Sequence, residues 1–268
     1  MAIDDRNAIR FLCAALLITL AGFTWAGPKI ETWETSNGAK VLFVPAPDLP
    51  ILDLRVVFNG GGARDGESSG LASLTAGMLT QGAGEWSADA LAERLESVGA
   101  ELATGSERDM AYASVRTLTD KEPMETALSS LAAVLAEPRF EQSDFDRVRE
   151  NTLVGLRQDE QDPGTVGKKA VYRGIFGDHP YAANPGGTLD NVAAIELSQL
   201  AGFHRRHYVG RNAVVAMVGA LTRDQAESVA ERVTAGLPAG EKAPPLPPVP
   251  GLGGALIKEL DFPSTQTH

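Results

Sequence analysis

The chain has 268 residues, 43% hydrophobic and 22% charged, enough apolar material for a core in one or two domains and far from disordered or collagen-like composition. Asp and Glu number 35 against 24 Lys and Arg, and the formal charge of −11 repels phosphate backbones and anionic membranes, so a nucleic-acid partner is excluded. One Cys and four His leave no material for a zinc finger or a disulfide framework.

Residues 1–26 read as a secretory signal. Arg6 and Arg10 precede an apolar run from Phe11 to Phe23, and Thr24-Trp25-Ala26 offers a small-residue cleavage site. The run is too short to cross a bilayer, which takes ~20 residues. Cleavage after Ala26 removes Cys13 and leaves a chain exported without disulfides, with the bacterial periplasm as the expected compartment.

From Glu31 the pattern predicts a hairpin, Glu31–Ser36 and Ala39–Pro45, turning at Asn37-Gly38 with both central residues at positive φ. Asp53–Asn59 reads as a third strand, closed by Gly60-Gly61-Gly62. That glycine run lacks the Gly-Lys-Ser/Thr of a phosphate loop and reads as a tight turn. Helices are predicted over Ser69–Thr80 and, capped by Ser87, through Leu91, Leu95 and Val98 to Gly99.

Strands follow at Glu101–Thr104 and Met110–Leu118. Asp120 can cap a helix burying Met124, Leu128, Leu131 and Leu135, and Ser143–Gln158 is a further helix. Pro163 opens a shorter one, and Gly177–Thr188 is a Gly- and Pro-rich loop. Helix Ser198–His207, strand Asn212–Gly219 and helix Arg223–Leu237 complete the unit. The fold class is α+β, with a mixed, largely antiparallel sheet and helices packed on one side. The expected domains are 27–241, a stiff Pro-rich linker over 242–254, and 255–268 as the truncated start of a second homologous domain, with Ala255–Leu260 its first strand.

Several stretches in this order resemble the inverted-motif zinc metallopeptidases, the family of pitrilysin, insulinase and the mitochondrial processing peptidases. They are Phe58 to Gly66 (FNGGGARDG), Gly70-Leu71-Ala72 with Met78, Gly99 to Tyr112 (GAELATGSERDMAY), Gln161-Asp162-Pro163, His179-Pro180-Tyr181, Gly187-Thr188 and Val214 to Gly219. The family's chemistry needs H-x-x-E-H on one helix, two His binding zinc at i and i+4 and a Glu activating the metal-bound water, with a further Glu from a later helix. Laid on this chain, Ser73 stands for the first His, Ala76 for the base, Gly77 for the second His, and Gly155 (or Val154, one register off) for the later Glu.

The resemblance therefore implies a member that binds no zinc and does not cut peptides alone. No other residues replace the site. His204 and His207 have Arg205 and Arg206 between them, His179 orders its own loop, Ser73 has no base at hydrogen-bond spacing, and Arg147, Arg149, Glu150 and Arg157 form a solvated helix face.

In the family, the strand after the second helix offers its edge to an extended peptide, and here Leu102, Ala103 and Thr104 occupy that place. Family members often work as pairs. The resemblance implies a non-catalytic subunit whose homologous partner carries the zinc, in a hetero- or homodimer, with an extended peptide as substrate. The alternatives are a scaffold with no peptidase role, or an enzyme whose zinc motif lies beyond His268.

Overall fold

The computed structural model describes Gly27 and residues 29–263. The signal-peptide reading therefore lies outside the described residues. The folded unit starts at Glu31.

Alternation along the strands builds the sheet. In β3 (Ile51–Phe58), Leu52, Leu54, Val56 and Phe58 are buried, while Asp53, Arg55 and Val57 face the other way. β7 (Ala111–Leu118) and β8 (Ala213–Gly219) alternate likewise. With β1 (Glu31–Glu34), β2 (Lys40–Pro45) and β6 (Glu101–Ser106) they make a six-stranded sheet in the order β1-β2-β8-β3-β7-β6. Only β2 and β8 pair in parallel, so the sheet is mixed and largely antiparallel. The short strands β4 (Gly82–Ala83) and β5 (Trp86–Ser87) form a separate ribbon.

The helices are α1 (Leu71–Met78), α2 (Ala88–Glu96), α3 (Lys121–Ala136), α4 (Gln142–Asp159), α5 (Pro163–Phe176), α6 (Leu189–Ala194), α7 (Leu197–His207) and α8 (Arg223–Thr234). Their starts follow capping chemistry: Ser87 accepts from the Ala90 amide, and Asp162 from the Thr165 amide ahead of Pro163. Thr222 and Gln225 exchange a capping box. Phe43, Phe58, Phe145, Phe203 and Leu128 are fully buried in one core, each large apolar side chain contributing about 2 kcal/mol by leaving water.

Three sequence expectations need correction. The hairpin forms, but Gly38 alone takes positive φ (+89°), and Thr35–Ala39 make a longer loop closed by Thr35 N–H to Ala39 O at 2.9 Å. Asn37 instead spends its amide on the carbonyls of Thr234 and Leu237 at 2.8 and 3.1 Å, tying the hairpin to the end of α8. The Gly177–Thr188 loop is not wholly irregular: Pro180–Ala182 form a 3-10 turn capped by His179, and helix α6, capped by Thr188, starts where the loop ends.

The third concerns Ala255–Leu260, which forms no strand. It lies beside α5, where Leu256 Cδ2 is 3.2 Å from the place a Cβ on Gly174 would take. Ile257 remains 89% exposed.

Candidate functional site

Helix α1 is almost wholly interior. Leu71, Ala72, Leu74, Thr75, Ala76 and Met78 are buried, and Ser73 and Gly77, four residues apart on one stripe, keep partial exposure. That stripe faces α4: a Cβ on Gly77 would sit 3.6 Å from Val148 Cγ1. Gly155 lies seven residues after Val148 and so on the same side of α4, about two turns along. Nothing stands within 4 Å of its absent Cβ. Val154 points further round and is 43% exposed.

The start of α1 is pinned by residues distant in sequence. Its N-cap is Gly70, at φ +100° and without a capping side chain. Asp65 takes that role from outside the helix, its carboxylate accepting from the Gly70 and Ala72 amides at 2.7 and 2.8 Å. Burial is the larger influence and pushes the Asp65 carboxyl up to about 7, against the pull of the Ala72, Gly70 and Leu71 amides.

Gly187, at φ +88°, comes so close that a Cβ would stand 2.6 Å from the Ser69 carbonyl, and Ser69 Oγ donates to Asn184 O at 2.7 Å. Gly61 is equally confined: a Cβ there would meet the Met110 amide nitrogen at 2.4 Å. The amides of Gly62 and Ala63 bond the carbonyls of Glu107 and Arg108, so the triple glycine is the close-packed turn expected of it. Asp65 was missed in the sequence; its signal is an Asp in a Gly-rich turn ahead of a helix whose own cap position is Gly.

β6 is one of the sheet's two edge strands, paired to β7 only. Leu102 packs down on the core, Ala103 is exposed, and Thr104 Oγ1 donates to the carbonyl of Ala76 at 2.8 Å. The edge strand is thereby bonded directly to α1. Its outer row of backbone groups has no strand partner among the described residues.

The donor set at this place does not fit a zinc ion. Ala76, Gly77 and Gly155 offer no side-chain donor, Ser73 offers one neutral hydroxyl, and position 76 is sealed at 1% exposure. Among the described residues no group of three or more His, Cys, Asp or Glu is close enough to hold a metal.

The histidines do structural work. Buried His204 meets the Leu135 carbonyl through Nε2 at 2.9 Å, and burial lowers its pKa. His207 is packed against Gly60 and Phe203, and burial, then Arg206 and Arg64, hold it down at about 4. His179 Nδ1 accepts from the Tyr181 amide, ordering its own loop, and Nε2 meets Pro247 O at 2.9 Å. On the outer face of α4, Arg147, Arg149 and Arg157 pair with Asp144, Asp146 and Glu150, as a solvated face does.

The family model for insulinase (peptidase family M16) matches residues 40–186, and that for the peptidase M16 inactive domain matches residues 194–268. The "Non-peptidase homolog YmxG" of Helicobacter pylori is 28% identical over 78% of this chain and 49% of its own length. An uncharacterized zinc protease of Mycobacterium leprae is 29% identical over 63% of this chain and 38% of its own. A crystal structure described as a peptidase M16 inactive domain from Pseudomonas fluorescens superposes with TM-score 0.81 and 36% identity over 83% of this chain and 54% of that one. The chain thus spans about half the length of relatives it matches. With one model covering more than half of its residues, the chain belongs to the insulinase family of M16 peptidases.

Proposed function

We propose that the chain is the non-catalytic, zinc-free subunit of an exported heteromeric zinc peptidase, completing its chamber and helping to hold an extended peptide along β6. A separate, homologous chain carries the zinc and cuts. One observation carries this reading: the frame of α1, α4 and β6 is intact, pinned by Asp65, Gly187 and Thr104, while all four positions that would serve the metal lack the necessary groups. Packing has been kept where chemistry has not. The descriptions of a matched domain as inactive and of one relative as a non-peptidase homolog support it. Residues 1–26 supply the export signal, toward a bacterial periplasm.

Backbone pairing by Leu102, Ala103 and Thr104 needs no particular side chain, so peptide holding survives loss of the zinc ligands. The test is reconstitution. The tagged chain is expected to co-purify with a homologous subunit bearing H-x-x-E-H, and the pair to cleave an unstructured peptide at least about tenfold faster than either alone, with chelator abolishing the rate. Chelator-sensitive cleavage by this chain alone refutes the reading. Recovery only in an unrelated complex makes it a scaffold.

A further inference from the structure

We infer that the cavity at the Ser106 end of β6 is an acid-accepting subsite, which takes a carboxylate of the peptide laid along that edge. The inference rests on the peptide-holding role proposed for β6 and adds to it a charge preference. The cavity, of about 380 Å³, is lined by Glu107, Arg108, Asp159, Lys168, Lys169 and Tyr172 among others. Glu107 and Arg108 follow Ser106 directly in the chain, so a strand paired along β6 runs to this cavity at one end. Asp159 lies on α4 one turn past Gly155, which places the cavity beside the former zinc position.

Its charges do not cancel. Lys169 is matched by Asp159, Nζ to Oδ2 at 3.3 Å. Arg108 is held with its guanidinium 4.1 Å from the Tyr172 ring centre and donates to the carbonyls of Tyr181 and Ala183, neutral acceptors that leave its charge in place. Lys168 has no ion-pair partner among the described residues, and it lines the cavity. Glu107 is then the remaining carboxylate against Arg108 and Lys168, a positive balance in a chain whose overall charge is −11.

Thr165 and Asn184 add polar groups to the same wall. A fixed guanidinium braced on an aromatic ring, beside a mobile ammonium, is the chemistry that accepts a carboxylate. The general repulsion of acidic peptides by an acidic surface makes this point where one acidic residue is tolerated and placed.

The carboxylate can come from a side chain or from a peptide C-terminus, and three labelled ten-residue peptides separate the sources. One carries Glu near one end with an amidated C-terminus, one carries Gln there with the amide, and one carries Gln with a free C-terminus. Binding to the full chain is read by fluorescence anisotropy, with hydrogen exchange over residues 101–106 reporting pairing. The Glu peptide, the free-C-terminus peptide or both are expected to bind about fivefold more tightly than the neutral one, less so at high salt. Lys168→Ala should erase that difference and leave protection of residues 101–106 unchanged; being exposed, Lys168 can be removed without unfolding the chain.

Equal binding of all three, with β6 protected, overturns the subsite and leaves the peptide edge standing. Absence of binding by every peptide overturns both.

Discussion

Helices α1 and α5 lie in one folded unit but obey opposite rules. α1 buries six of its eight residues and is fixed at its start by Asp65, Gly70 and Gly187. α5 buries none of its 14, and Val171 and Ile175 stay 56% and 40% exposed. α1 carries no His, Asp or Glu and is tightly packed all the same. The difference shows that the contacts around α1 serve the fold and tie the β6 edge to it.

Substitutions can break that contrast. The largest effect is expected from Asp65→Ala, which strands two buried amides at the start of α1 and should cost about 2–4 kcal/mol in chemical denaturation. Gly187→Ala comes next at about 2–3 kcal/mol, since it forces a side chain to positive φ and a Cβ to within 2.6 Å of Ser69 O. Gly77→Ala should be neutral or stabilising by up to about 1 kcal/mol, because its Cβ meets Val148 Cγ1 at an ordinary 3.6 Å and helix propensity improves. Ile175→Ser on α5 should stay within about 0.5 kcal/mol of the parent.

Acid sharpens the same comparison through two buried groups of opposite sign. His207, held at about 4 against an ordinary 6.5, contributes stability at neutral pH that is lost as pH falls from 6.5 to 4. His204, also lowered, adds in that direction. Asp65, raised to about 7, works the other way: its contribution grows as pH falls from about 7 toward 4, because the folded chain binds the proton more tightly. The parent should therefore show a shallow pH dependence. Asp65→Asn should steepen the loss on acidification, and His207→Leu should reverse its sign, measured as denaturation midpoints from pH 4 to 7.

Much of this was legible in the sequence. The alternating strands, the Ser87 cap, the glycine turn and the order of the family's landmarks can be read from local patterns. What could not be read depends on distance. Asp65 acts on α1 across a turn that only Gly70 permits, and Asn37 serves the end of α8 instead of its own turn. Ala255–Leu260 has a strand's composition but pairs with no strand among the described residues, and composition alone does not pair a strand.

Elemental analysis of the purified chain, exposed to equimolar zinc and then desalted, bears most directly on whether the space between α1 and α4 holds metal. The expected content is below about a tenth of an equivalent, as befits a place with one hydroxyl for a donor. Retention of about one equivalent, released by Ser73→Ala or by chelator, would mean that this helix still holds metal and that the chain is no silent subunit.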